Sequence, residues 1–460
     1  MAWTEETLAN HQALSETDVR FREYAMATPK CLDLDYLMGF GFKAPEVLYY
    51  TGILHPWPFF AGPETLAEVE RVTMGLSRLH RLIPERIFGG DPEKIAAHYQ
   101  LDPLYTEMLL EPPNGIDSAL GRADLVWSDR GFKCLEYNFG ARIGGGEARF
   151  RAERYERVPE LRAFFEREGM PFSAQKNTTR EIFSHFFDTA LKLGLGREGY
   201  LNLTMLLHQP LEFGLGELFH SEYDAALKES GLPIGGQLYL SLVDDLYESD
   251  GALYCGDRRI HGMLEMTPKW THPAAYQLAA AGELVLFNGA IYSILSGKNN
   301  LALLSEHQDS DCFTPEEQEM LRNHMPWTRM VARREVRFEG EDWDLPTLLV
   351  ERRHDLVLKA CRSLGGKDVV VGRASTDEEW WAANETAFAG DEPWIVQEFV
   401  QSRGYLALSD QGVEPHDLIW GPFALGDRFG GIFMRLQPAR VGGPVNVKRA
   451  GSAASLFEPA

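Results

Sequence analysis

Leu356-Val357-Leu358-Lys359-Ala360-Cys361-Arg362-Ser363-Leu364-Gly365-Gly366-Lys367-Asp368-Val369-Val370-Val371-Gly372 reads as a strand, a basic glycine turn and a returning strand. Aliphatic and β-branched residues fill both arms, as a pleated, half-buried surface favours. The turn carries two adjacent glycines, which let backbone N–H groups approach an anion closely, and the neighbouring lysines add charge. A phosphate-binding hairpin is the expectation. Farther on, Trp394-Ile395-Val396-Gln397-Glu398-Phe399-Val400 reads as another strand, of a kind suited to pairing its backbone with an adenine edge. The two segments together point to ATP as a ligand, without saying what it is used for.

Working outward, a second hairpin is expected upstream, where Asp129-Arg130-Gly131 joins two β-rich runs. Arg122 and Asp124 sit two apart on the first run, and Glu136 and Asn138 two apart on the second. Side chains two apart share one face of a strand. Two carboxylates and an amide oxygen are hard ligands suited to Mg²⁺, which takes one or two protein carboxylates and completes its shell with phosphate and water. The competing reading is a polar, solvated hairpin face. Between the two hairpins a helix is expected over Ala290–Glu306, interrupted by the polar cluster Ser296-Gly297-Lys298-Asn299. Lys298 is then either a surface lysine or one that faces phosphate. Arg142, in Ala141-Arg142-Ile143-Gly144-Gly145-Gly146-Glu147, directly follows the carboxylate strand. It is either a bidentate clamp for a substrate carboxylate or an exposed surface residue.

The bulk of the chain narrows the field. Its 460 residues correspond to about three structural units, and the formal charge of −23 argues against nucleic-acid or anionic-membrane partners. Five cysteines, an odd number with no Cys-x-x-Cys, fit a reducing cytoplasm better than a disulfide framework. No run approaches a membrane span, and the acidic Met1-Ala2-Trp3-Thr4-Glu5-Glu6 lacks a signal core. Gly194-Leu195-Gly196-Arg197-Glu198-Gly199 is literally G-x-G-x-x-G, yet it follows a helical pattern and precedes a strand, the reverse of the dinucleotide context. Helix-ending glycines explain it better. A P-loop motif and a His-Glu-x-x-His are both absent.

Along the chain, the first hundred or so residues read as mostly helical, with Leu66, Val69, Val72, Leu76, Leu79 and Leu82 at helical spacing and Pro112-Pro113-Asn114-Gly115 as a break. One charged helix is expected from about Ala148 to Glu168. Strand–helix–strand alternation over 176–290 predicts a small parallel α/β unit. The pairs Phe59-Phe60 and Trp380-Trp381 read as core or interface.

In combination, Arg122-x-Asp124, Glu136-x-Asn138, Ser296-Gly297-Lys298, Leu356–Lys359, Gly365-Gly366-Lys367, Val396–Val400, Phe433-Met434-Arg435-Leu436 and Pro444-Val445-Asn446-Val447 resemble the ATP-grasp superfamily in its circularly permuted form. The likeness is to the glutathionylspermidine-synthetase-like branch and related amino-acid and peptide ligases, and it covers about 120–450. It implies an α/β (α+β) fold with a metal-ligand part over 113–175, a Rossmann-like pre-ATP-grasp unit over 176–290 and a nucleotide-binding part over 291–460, while the helical N-terminal region over 1–112, read from its periodicity, has no counterpart in the family. It further implies that Lys298 and Lys359 meet the nucleotide phosphates, that Gly365, Gly366 and Lys367 close over them, and that Gln397, Glu398, Phe399 and Val400 line the adenine. Arg435 would join the cofactor-binding set, Asp124, Glu136 and Asn138 would hold Mg²⁺, and Arg122 would stabilise the transferring phosphoryl group. The implied activity is ATP-dependent joining of a small carboxylate to an amine through an acyl phosphate, on an amino acid or short peptide. Phosphoryl transfer to a non-amine acceptor and a non-catalytic nucleotide-binding module are the alternatives. The chain departs from the family pattern at Ala360, Asp368 and Lys448-Arg449-Ala450-Gly451.

Overall fold

Thr4 and Ser15 are helix caps. Each accepts a backbone N–H three residues on, from Thr7 and Asp18, and so starts α1 (Glu5–Leu14) and α2 (Glu16–Ala27). The computed structural model describes residues 3–45, 47, 52–102, 106, 118–141, 144, 148–173, 176–267, 272–287, 289, 292–362, 368–390, 392–445 and 451–459. Strand β1 (Phe59–Phe60) precedes α3 (Pro63–Arg86), which opens with a proline where no N–H is needed and buries Val69, Val72, Leu76, Leu79 and Ile83. The helix expected around Leu66–Leu82 is thus present and longer. The Pro112–Gly115 break lies outside the described residues.

Strands β2 (Leu120–Ser128) and β3 (Gly131–Phe139) form the expected antiparallel hairpin. The single charged helix expected near 148–168 is in fact two, Ala148–Arg157 and Pro159–Arg167. Pro159 cannot continue a helix from upstream, because it lacks an N–H and its ring meets the carbonyl four residues back.

The region 176–290 alternates as expected. It comprises α4 (Thr178–Lys192), β4 (Leu203–Leu206), α5 (Leu215–Ser230) and β5 (Leu238–Ser241), then a small antiparallel sheet of β6 (Leu246–Ser249), β7 (Ala252–Cys255) and β8 (Arg258–Ile260). It closes with β9 (Gly262–Glu265), α6 (Pro273–Ala280) and β10 (Val285–Phe287). Strands β10, β9, β4 and β5 lie side by side in that order, all parallel. Gly194, Gly196 and Gly199 all have positive φ between α4 and β4, the helix-to-strand turn that the G-x-G-x-x-G mimics.

A short helix Tyr292–Leu295 and α7 (Asn299–Glu306) replace the continuous helix expected over Ala290–Glu306. The hairpin expected over 356–372 follows β11 (Thr328–Met330), β12 (Glu335–Phe338) and β13 (Glu341–Asp344). It consists of β14 (Leu356–Ala360) and β15 (Val369–Val371), and is succeeded by α8 (Asp377–Ala389) and β16 (Trp394–Glu398). These form an antiparallel sheet in the order β11-β16-β14-β15. The pair β12–β13 stands alone.

The last strands are β17 (Tyr405–Ser409), β18 (Gly412–Leu425), β19 (Arg428–Pro438), β20 (Ser452–Ala454) and β21 (Leu456–Phe457). Strands β20, β19, β18, β2 and β3 form one sheet, with β17 also on β18, so the early hairpin belongs to the same sheet as the C-terminal strands. One face of this sheet packs under α3, with Leu125, Tyr137, Leu418, Trp420, Met434 and Leu436 in the same core as Val69, Val72 and Leu76. Alternation sends their neighbours to the opposite face, where the polar residues of interest collect. Phe59 and Phe60 are core, and Trp380 is buried, but Trp381 is 54% exposed. Among the described residues no helix is long and apolar enough to cross a membrane.

Candidate active site

The hairpin register brings the four predicted residues together. Arg122 pairs across the ladder with Asn138, and Asp124 with Glu136. The ladder slips by one residue just beyond Asp124, where Leu125 pairs with Cys134, so Leu135 is the extra residue of a bulge. The next strand adds to the same face. Phe423 lies opposite Arg122, and on the far side Ile419 faces Arg435 and Gly421 faces Phe433. Asp124 Oδ1 is 3.2 Å from Arg122 Nε and 2.6 Å from Arg435 Nη2. The Arg435 contact is a close ion pair without the angles of a hydrogen bond, and Arg435 Nε is buried with no hydrogen-bond partner. Burial opposes charge on Asp124, yet Arg435 and Arg122 outweigh it and hold the carboxyl below its usual range. The guanidiniums of Arg122, Arg435 and Arg151 all approach the Phe433 ring, at 5.8, 6.0 and 5.0 Å from its centroid.

Gly421 makes this arrangement possible. A Cβ there would come within 2.6 Å of the Phe433 carbonyl oxygen and 3.1 Å of Arg122 Cδ. Only a glycine lets the Arg122 side chain lie across the strand at this point.

Both predicted lysines arrive from other segments. Lys298 is 4% exposed and its Nζ lies 3.2 Å from Glu136 Oε1. Its backbone N–H donates to the Cys361 carbonyl at 3.2 Å, which ties this turn to the end of β14. Lys359, on β14, donates from Nζ to the Leu135 carbonyl at 3.0 Å and to Gln397 Oε1 at 2.6 Å. Gln397 in turn donates from Nε2 to Thr328 Oγ1 at 3.0 Å, which orients its oxygen toward the lysine. Burial lowers the Lys359 ammonium to about 8, against the pull of Glu136 toward the charged form and with Lys298 adding to the depression.

The strand β16 differs from expectation in one respect. Its backbone from Trp394 to Glu398 is laddered on both sides, to β14 and, from Ile395 on, to β11. The Phe399 N–H is also used, donating to the Asp355 carbonyl. The backbone of Ile395, Val396 and Gln397 is thus interior to the sheet. Gln397 turns its side chain to Lys359, and Glu398 turns its own to Arg130, 2.9 Å away. Val400 instead joins Val126 and Ile419 in a small apolar cluster, against which Leu135 packs. The Phe399 ring carries the Arg373 guanidinium 3.9 Å from its centroid.

Four predicted residues, Gly365, Gly366, Lys367 and Arg142, lie outside the described residues. Asp368 at the end of that turn is exposed, and its carbonyl accepts the Ala360 N–H at 3.0 Å. Sequence reasoning missed Asp417. It sits opposite Gln437 in the β18–β19 ladder, two residues from Ile419 on the same face. Its Oδ1 is buried with no hydrogen-bond partner, and burial raises its carboxyl to about 6. The signal was an acid spaced two from an apolar residue that proves to face the site, and nothing local singled it out.

Among the described residues no group of three or more His, Cys, Asp or Glu side chains is suited to holding a metal. Glu136, Asn138 and Asp124 supply oxygen donors from one hairpin, which fits Mg²⁺ when phosphate and water complete the shell, and does not fit a metal that needs an all-protein cage.

No family model matches the sequence, and no curated protein does. Solved structures do. A glutathione synthetase-like effector, GSS30, from Globodera pallida, solved without ligand, superimposes with a TM-score of 0.56 at 12% identity, over 97% of this chain and 99% of that one. The two chains share a fold along nearly their whole length. A candidate gamma-glutamylcysteine synthetase from Methylobacillus flagellatus aligns at a TM-score of 0.37 and 10% identity, over 82% of this chain and 88% of that one, too low to argue from.

Proposed function

We propose that this chain is an ATP-dependent carboxylate–amine ligase of circularly permuted ATP-grasp type. The observation that carries the reading is the meeting of Arg122, Asp124, Glu136 and Arg435, on one face of the sheet that holds β2, β3 and β19, with Lys298 from the start of α7 and Lys359 from β14 of the neighbouring sheet. Two buried lysines beside a carboxylate–amide pair is an arrangement suited to a triphosphate and its metal. The fold shared with a glutathione synthetase-like protein supports a synthetase at a coarse level.

In this reading Lys298 and Lys359 bind the phosphates, and the apolar cluster of Val126, Val400 and Ile419 is the floor for the base. Asp417 and Gln437 are polar groups at the edge of that floor. Glu136 and Asn138 hold Mg²⁺, which supplies charge neutralisation on the phosphate oxygens. Asp124 completes the donor set and sets the angle of Arg122 and Arg435. A substrate carboxylate attacks the γ-phosphorus in line, and ADP leaves. The acyl phosphate is then attacked at carbon by an amine, the C–N bond forms, the C–O bond to phosphate breaks, and the amine loses a proton to solvent or base. Arg122 and Arg435 face the charge that develops on the transferring group. The turn holding Gly365, Gly366 and Lys367 closes over the phosphates and excludes water. The carboxylate and the amine belong to an amino acid or short peptide, with Arg142 as a candidate clamp.

The test is incubation with ATP, Mg²⁺ and an amino-acid panel, with hydroxylamine as an acyl-phosphate trap. Hydroxamate together with a new amide mass is expected. Lys359→Met should lower kcat by about 10²-fold or more, the scale of removing one preorganised donor. ADP release without hydroxamate would favour phosphoryl transfer to another acceptor. No ADP release with any panel member, and no change in Lys359→Met, would sink the reading.

A further inference from the structure

In this structure each carboxylate of the proposed metal set is already held by a cation. Glu136 pairs with Lys298, and Asp124 pairs with Arg122 and Arg435. Lys359 adds a further cation against the Leu135 carbonyl, between the two carboxylate positions in sequence. Four cationic side chains thus surround two carboxylates. The Lys298–Glu136 pair is largely out of water, with side-chain exposures of 4% and 24%. The main chain from which the Lys298 stem projects is anchored as well. The Lys298 N–H bonds to Cys361 and its carbonyl accepts the Leu301 N–H, so the lysine is fixed between β14 and α7.

A divalent ion approaching alone meets an excess of positive charge and an acid one of whose oxygens, Glu136 Oε1, is already paired. A triphosphate changes both conditions. It supplies negative charge, and it offers Lys298 stronger acceptors than a carboxylate shared with a metal. We propose that Lys298 is a latch: it keeps Glu136 closed to metal until a nucleotide draws the ammonium away, so that metal and nucleotide bind this chain synergistically. The proposal rests on the function proposed above. The coupling is reciprocal, since whatever the nucleotide adds to metal affinity the metal adds to nucleotide affinity.

A latch and a simple phosphate ligand differ in one respect. Removing a phosphate ligand that does not hold Glu136 weakens nucleotide binding and leaves metal binding by the free protein unchanged. Removing a latch strengthens metal binding by the free protein. The probe is Mn²⁺, with free ion counted by electron paramagnetic resonance, in wild type, Lys298→Met and Lys298→Arg, with and without a β,γ-imido analogue of ATP. In wild type the analogue should raise Mn²⁺ affinity by roughly 10-fold or more, within the usual range of coupling between sites. Lys298→Met should bind Mn²⁺ alone severalfold more tightly than wild type and lose most of the coupling. Lys298→Arg, which keeps the charge, should bind Mn²⁺ alone as weakly as wild type, which guards against a folding artefact. Equal Mn²⁺ affinity of wild type and Lys298→Met without nucleotide overturns the latch while leaving the ligase reading intact. If no variant holds Mn²⁺ beyond what the analogue binds by itself, both readings fail.

Discussion

Gly421 is the residue on which the site geometry turns. Replacing it with alanine drives a methyl into the Phe433 carbonyl and Arg122 Cδ, at 2.6 and 3.1 Å, so the strand or the arginine must move. Gly421→Ala should cost about 1–3 kcal/mol in urea unfolding, typical of overpacking, and should lower turnover in the proposed ligase reaction more than stability alone explains. Lys359 makes a second prediction, in which activity and stability diverge. Its folded pKa is about 8, against an ordinary 10.5. Above pH 8 it loses the charge that the proposed phosphate contact needs, so on that proposal nucleotide affinity should fall as pH rises through about 8. Over the same window, up to 10.5, the unfolded chain holds a proton that the folded one has dropped, so this residue's contribution to stability improves with pH. Titration of analogue binding alongside urea midpoints checks both signs. The arginine and carboxylate set at 122, 124, 136 and 138 was legible because a period of two is a strong signal once a turn is found. Asp417 was not, because β18 is buried on both faces and its alternation is blurred.

At the scale of elements, the break at Ser296-Gly297-Lys298 is the clearest gain over the sequence. Polar residues in an apolar helix were visible, but how the chain ends one helix and starts another was not. Asn300 supplies the mechanism. Its Nδ2 donates to the carbonyls of Ile294 at 3.1 Å and Leu295 at 2.8 Å, satisfying groups a helix end leaves open, and Tyr99 Oη donates to its Oδ1. This side chain is fully buried. Asn300→Ala should destabilise by about 1–3 kcal/mol by leaving buried carbonyls unsatisfied, and should weaken nucleotide binding because Lys298 starts from that turn. Differential scanning calorimetry and analogue titration read the two effects. The β14–β15 hairpin was legible from composition and a turn. That β16 would be an interior strand was not, since pairing partners far along the chain leave no local mark.

For the whole molecule, burial of neutral histidines sets a limit on acid tolerance. Burial lowers His55 to about 3, and His80, His185 and His416 to about 4. His11 is lowered too. Its Nδ1 donates to Asp18 and its Nε2 accepts the Leu406 N–H, so a second proton on the ring would break the link from α1 to β17. Each group has a folded pKa below the unfolded 6.5, so its contribution to stability is intact above 6.5 and is lost as pH falls toward 4. Asp417, raised to about 6, and Glu458, also raised by burial, work in the opposite direction but are fewer than the histidines. Proton uptake on unfolding at pH 5 should therefore exceed one, and urea midpoints should drop steeply between pH 6.5 and 4. The parallel α/β unit and the helical N-terminal stretch were both readable, being local. The sheet that joins β2 and β3 to β18 and β19 was not readable, because strands so far apart in the chain leave no local mark of their pairing.

The same sheet, together with the parallel pairing of Phe59-Phe60 with Leu456-Phe457, bears on how the chain is made. On a ribosome, β1, β2 and β3 leave the exit tunnel long before the strands that must lie beside them exist. The hairpin that carries Glu136 is therefore an unfinished edge for most of synthesis, with α3 waiting for the other half of its core. Contacts of such sequence separation close late and slowly, and the exposed edges invite wrong partners meanwhile. Chaperone dependence during translation, more than equilibrium stability, is what should limit the yield of active protein.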